Sequence, residues 1–114
     1  VVSSAMNYMN KHFTEEITVD DLASVVMKSR DYLSHIFSKT TGLSIKQYLI
    51  RLRINHAKFL LSESEKNISE IAEECGYNDM NFFSRQFQSS TKMSPTSFRK
   101  LVRAQNSLGK GNIE

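Results

Sequence analysis

Leu22-Ala23, then Phe37 fourteen residues on, then Leu43-Ser44 and Tyr48 form a run that the chain repeats as Ile71-Ala72, Phe87 fifteen residues on, Met93-Ser94 and Phe98. The offset between the copies is 49 before the turn that joins each pair of helices and 50 after it, so the second copy holds one extra residue in that turn. Inside the copies, Tyr32-Leu33-Ser34-His35 lies over Phe82-Phe83-Ser84-Arg85, and Ser38-Lys39-Thr40-Thr41 over Gln88-Ser89-Ser90-Thr91. A helical unit repeated at so short a period reads as two copies of one binding device.

Around these runs, apolar spacing and capping residues predict an all-α chain with no strand. Val2, Ala5, Met6, Met9 and Phe13 recur at three and four, which gives a first helix over roughly 1–13. Thr18-Val19-Asp20-Asp21 is a capping box, because the hydroxyl and the acid three residues on satisfy each other's orphan amides. The helix it starts is expected to bury Leu22, Val25 and Val26. Ser29 caps a third helix carrying Leu33, Ile36 and Phe37, and Gly42 supplies the left-handed residue that ends it. A long fourth helix, about 45–62, sets Ile45, Tyr48, Leu49, Leu52, His56, Phe59 and Leu60 near one stripe and would be roughly 27 Å long. Asn67-Ile68-Ser69-Glu70 caps the fifth helix, and Asn78 or Asp79 begins the sixth, with Phe83 and Phe87 inward. Ser94-Pro95 opens the last, where proline's missing amide costs nothing, and Phe98, Leu101 and Val102 pack it. Lys92 stands opposite Gly42 in the repeat and should strain its helix end by about 1 kcal/mol.

The expected organisation is one subdomain at 1–53, including the start of the long helix, a second at 54–103, and a flexible tail at 104–114. Val1 opens directly on a helical pattern without an initiator Met, which reads as a piece of something larger. No stretch is long and apolar enough to span a bilayer and no signal peptide is visible, so the cytoplasm is the expected compartment and no membrane partner is expected. Cys75 is alone, which rules out an internal disulfide or a cysteine zinc site, and on a buried helix face it reads as a small apolar filler. His12, His35 and His56 are too scattered for a metal site, and no cofactor is expected.

The net charge of +3 conceals a segregation. Residues 1–27 hold one Lys or Arg against four acids, and 59–79 hold one against six, whereas 28–58 hold seven against one and 80–103 five against none. The basic blocks begin where the second helix of each copy begins, a pattern that suits a polyanion.

Two short helices joined by a tight turn, and then repeated, are the helix-turn-helix arrangement, in which one helix braces and the next lies in the DNA major groove. Residues 29–41 and 79–91 are the candidate reading helices. The outward face of the first carries Arg30, Asp31, Ser34, His35, Ser38 and Lys39, and that of the second Met80, Asn81, Ser84, Arg85, Gln88 and Ser89. Two such helices held about 34 Å apart by a stiff helix would enter successive major grooves on one face of the duplex.

With Leu22-Ala23, Tyr32-Leu33-Ser34 and Phe37, Thr41-Gly42, Tyr48-Leu49, Leu52-Arg53 and Ala57, Ile71-Ala72, Gly76-Tyr77, Phe83-Ser84-Arg85 and Phe87, and Ser94-Pro95 with Phe98-Arg99, the chain resembles the DNA-binding domain of the AraC/XylS family of bacterial transcription regulators over residues 1–103. The resemblance implies seven helices in two helix-turn-helix subdomains joined by the long helix. It also implies double-stranded DNA as partner and an N-terminal sensor or receiver domain that is not part of this chain. Carried over by position, it puts base reading on Asp31, Ser34, His35, Asn81 and Arg85.

Arginine makes paired hydrogen bonds to guanine O6 and N7, and asparagine pairs similarly with adenine. Asp31 can accept from cytosine N4, or it can simply serve the helix dipole. Ser29, Arg30, Lys39, Thr40, Lys46, Arg51, Asn78, Lys92, Thr96 and Arg99 are the phosphate candidates, setting register and affinity rather than sequence. The alternative is a helical protein-interaction module that docks RNA polymerase or a partner domain. Enzyme chemistry is not expected, since the chain offers no paired carboxylates, nucleophile-base pair, metal constellation or glycine-rich phosphate loop.

Overall fold

Side chains that satisfy orphan amides decide where the helices of this chain begin. The computed structural model describes the backbone of residues 1–113 and the side chains of 1–107. Seven helices run in order: α1 (Val2–His12), α2 (Val19–Val26), α3 (Arg30–Thr41), α4 (Ile45–Glu63), α5 (Ile68–Glu74), α6 (Met80–Thr91) and α7 (Pro95–Ile113), with no strand among the described residues. Thr18 and Asp21 form a full capping box at the start of α2, with bonds of 2.9 and 3.0 Å, and Asn67 and Glu70 do the same for α5 at 3.0 and 2.8 Å. Ser29 Oγ accepts from Tyr32 N at 3.1 Å before α3, and Asp79 accepts from Asn81 N at 2.8 Å before α6. Ser44 and Ser94 cap α4 and α7 through Gln47 N and Ser97 N. Each such cap is worth about 1 kcal/mol.

The chain divides into two compact units, Val1–Arg53 and Ile54–Glu114, and α4 is one uninterrupted helix contributing to both. The core of the first unit is Ala5, Met9, Leu22, Ala23, Leu33, Phe37 and Ile45. The second unit buries Ile54, Ala57, Leu60, Leu61, Ile71, Ala72, Cys75, Tyr77, Phe83 and Phe87. The duplication persists at the level of single contacts. Phe37 meets Tyr48 edge-on at 5.6 Å and 78°, and Phe87 meets Phe98 at 5.5 Å and 78°. Thr41 Oγ1 donates to Phe37 O at 2.8 Å, and Thr91 Oγ1 to Phe87 O at 2.9 Å. An arginine strap recurs as well: Arg53 donates to Glu15 O at 2.9 Å and Arg103 to Ser64 O at 3.1 Å, in each unit tying the last helix to the loop that follows the first.

Four expectations need correction, the first being Leu101, which was expected to pack the last helix and is 44% exposed. Val25 is 44% exposed, and Ala23 takes the buried place beside Leu22, because an eight-residue helix offers the core only one narrow face. Phe59 is 59% exposed, while Ile54, Ala57 and Leu61 are buried. The first half of α4 serves one core and its second half another, so no single stripe runs its length. The last helix extends beyond residue 103 to Ile113, so the stretch expected to form a tail begins inside α7. The side chains of 108–114 and the backbone of Glu114 lie outside the described residues.

Among the described residues four have positive φ, and they fall on two repeated positions. Met27 (φ 55°) ends the brace helix α2 where Gly76 (φ 94°) follows α5, and Gly42 (φ 76°) ends α3 where Lys92 (φ 67°) ends α6. Each copy thus holds one left-handed turn with glycine and one with a residue whose Cβ opposes it. Met27 is 86% exposed, so its side chain contributes little packing. Met27→Gly and Lys92→Gly should each raise unfolding free energy by up to about 1 kcal/mol, read as a higher urea midpoint at constant slope. A lowered midpoint in both variants would contradict the assignment of strain.

Candidate nucleic-acid interface

Helices α3 and α6 are both twelve residues long, both capped by a side chain and both closed by a left-handed residue, so their outward faces start and stop in the same register. Leu33 and Phe37 anchor α3, and Phe83 and Phe87 anchor α6, all fully buried. At 3.6 residues per turn, the side chains that point away from these anchors are Asp31 and His35 on α3 and Asn81 and Arg85 on α6, with Ser34 on the flank. All five expected base readers are exposed. Among the described residues no hydrogen bond or ion pair engages their side chains, so each arrives with its donors and acceptors open.

The phosphate candidates divide. Lys39, Thr40, Lys46, Arg51, Asn78 and Thr96 are exposed. Lys92 is exposed too, with Nζ donating to Ser89 O at 3.3 Å. Ser29 Oγ is engaged as a cap acceptor and keeps only its hydroxyl proton to give. Arg30 lies 3.7 Å from Asp20 of the brace helix, an exposed ion pair of little strength that a phosphate can replace.

Arg99 is the exception. Its Nε donates to Leu61 O at 3.1 Å and its Nη2 to Ser64 O at 3.2 Å, so its guanidinium closes the C-terminal end of α4 and is a brace within the second unit. Lys28, in the turn before α3, is a further exposed cation, with Nζ 5.8 Å from the Tyr32 ring centre. Its place at the head of the first basic block is the signal for it in the sequence.

Asp31 apart, the acids gather on other elements. Asp20 and Asp21 stand in the first turn of α2, where they favour its dipole, and Glu70 does so in α5. Lys66 is held by Glu74, and that hydrogen bond keeps its ammonium above the usual lysine range. It is therefore committed to the acidic α5. The faces of α3 and α6 can take a polyanionic surface with readable donor and acceptor edges, since cations flank them and their outward residues are the types that pair with base edges. Among the described residues no grouping of metal-binding side chains occurs, and no helix is long and apolar enough to cross a membrane.

Residues 22–101 match the family described as Helix-turn-helix domain. The C-terminal domain of AraT, a response regulator from Geobacillus stearothermophilus, is similar with a TM-score of 0.85 and 33% identity, over 88% of this chain and 84% of that one. The DNA-binding domain of the global transcriptional factor AdpA, solved in complex with a target DNA, is similar with a TM-score of 0.86 and 27% identity, over 91% of this chain and 94% of that one. The Melibiose operon regulatory protein of Escherichia coli (strain K12) is 33% identical over 100 residues, which are 88% of this chain and 33% of that protein. The chain spans about a third of the length of the curated relatives it matches.

Proposed function

The chain belongs to the AraC-type family of helix-turn-helix domains, and from that premise we propose that it is the non-catalytic, sequence-reading part of a bacterial transcription regulator, acting in the cytoplasm. Each unit lays its reading helix, α3 or α6, in a major groove of double-stranded DNA, the two grooves being adjacent on one duplex. One observation carries this reading: the repeat preserves an outward face whose polar side chains have no partner among the described residues, on a helix whose opposite face is locked by two buried residues. A structural ornament would have no need to keep the same open positions in both copies. The uninterrupted α4 shared by the units supports a single DNA site with two halves. The remaining two thirds of a protein the length of the relatives would supply the signal, as a sensor or receiver domain N-terminal to this one.

The test is a titration of labelled duplexes at several salt concentrations. A preferred duplex selected from a random pool should bind about 10³-fold or more tightly than random DNA, with a steep fall as salt rises. Lys39→Ala should weaken preferred and random duplexes alike and reduce the salt slope by about 1. A chain that enriches no duplex at low salt would sink the reading.

A further inference from the structure

Asp31 is out of place on a surface meant for a polyanion, and its position explains it. It is the second residue of α3, as Asn81 is the second residue of α6, and each stands one helical turn before its neighbour on the outward face, His35 or Arg85. The two helices share length, cap register, paired buried anchors and the same edge-on aromatic contact behind the second anchor, at 5.6 and 5.5 Å. The two frames are alike within their own units, so what separates residues 31 and 81 is the end group of each.

We infer that the two halves of the DNA site differ by a defined base: the half faced by the first unit carries cytosine where the half faced by the second unit carries adenine, and Asp31 and Asn81 write that difference. This rests on the proposed DNA-reading function. The chemistry separates the two bases cleanly. An asparagine amide offers one donor and one acceptor, which match adenine N7 and N6 together. An ionised aspartate only accepts, so it needs an amino group with no acceptor beside it to repel it, which is the cytosine N4 edge. Guanine and thymine present acceptors and would face a carboxylate with like polarity. One turn on, Arg85 forks onto guanine, and His35, with a single donor when neutral, takes a guanine acceptor more weakly.

The competing role for Asp31 is electrostatic support of the α3 N-terminus. That N-terminus already has its cap, since Ser29 Oγ takes the Tyr32 amide at 3.1 Å, and the Asp31 carboxylate makes no hydrogen bond to any backbone amide among the described residues. The carboxylate is left exposed on the groove-facing side.

The experiment is selection from a random duplex pool with the 114-residue chain and two isosteric variants, followed by titration of the selected duplexes. The unchanged chain should enrich a site with two unlike halves. Asp31→Asn should convert one cytosine in one half to adenine, reversing the preference between the two bases by about 10-fold or more, and leave the other half untouched. Asn81→Asp should make the converse change in the other half. Both residues are exposed and neither substitution changes side-chain size, so folding is not at issue.

If Asp31→Asn tightens every duplex by one common factor without shifting any base preference, Asp31 is a dipole residue and the inference is overturned. If both halves of the site change together in either variant, the assignment of one base to one unit is overturned. Failure of the unchanged chain to enrich any duplex is a separate result that removes the DNA-reading function itself.

Discussion

Arg85→Ala is expected to cost about 1–3 kcal/mol of binding free energy on the preferred duplex and to relax the requirement at one base pair, while leaving affinity for random DNA nearly unchanged. The size follows from what is lost. A guanidinium pairing with guanine O6 and N7 makes two directed, charge-assisted hydrogen bonds, and among the described residues Arg85 has no partner to compete for them. Its neighbours on the outward face of α6 carry no charge, since Asn81, Ser84, Gln88 and Ser89 are all neutral, so nothing nearby takes over the contact. Replacing it with lysine would not restore the fork, because an ammonium is a point donor. Equal losses for Arg85→Ala on preferred and random duplexes would place the residue among the phosphate contacts.

A larger effect is expected where nothing touches DNA. Phe87→Ala should lower the unfolding free energy by about 3–5 kcal/mol, the sum of lost transfer energy and the cavity left behind. Phe87 is fully buried, tilts against Phe83 at 5.9 Å, meets Phe98 edge-on at 5.5 Å, and its carbonyl takes the Thr91 hydroxyl. The second unit would lose the anchor that turns the outward face of α6 away from its core, so affinity should fall with stability. Phe82, next to Phe83 on the same helix, is 48% exposed, and its ring centre lies 6.0 Å from that of Tyr77. Phe82→Ala should therefore cost less than about 1 kcal/mol. Urea unfolding of both variants decides the matter, and similar losses would contradict the inward and outward assignment.

Much of this architecture is readable from neighbours a turn or two apart. Thr18 with Asp21 and Asn67 with Glu70 announce helix starts because the bonds that make a capping box join residues three apart. The open faces of α3 and α6 follow from the period of 3.6 once Phe37 and Phe87 are taken as inward. Lys92 was expected in a left-handed turn from its place opposite Gly42, and it has φ 67°. Met27 lies opposite Gly76 in the repeat and has φ 55°. Nothing about a methionine suggests a left-handed turn unless the copies are laid over one another at that residue.

Contacts made across thirty-five to forty residues were another matter. Arg99 stands in a basic block of the sequence, and only the fold shows that its guanidinium donates to Leu61 O and Ser64 O, at 3.1 and 3.2 Å. Arg53 and Arg103 were silent as straps for the same reason. In α4, Phe59 and Leu61 are both apolar and two residues apart, and only the presence of a second core on one side of the helix determines that Leu61 is buried and Phe59 is not.

Repeat, caps and the outward polar residues of α3 and α6 were therefore written in the order of amino acids, since each depends on local spacing and side-chain chemistry. Which cations stay exposed was settled by folding alone, because a guanidinium carries the same donors whether it faces water or distant backbone carbonyls, and packing chooses between the two.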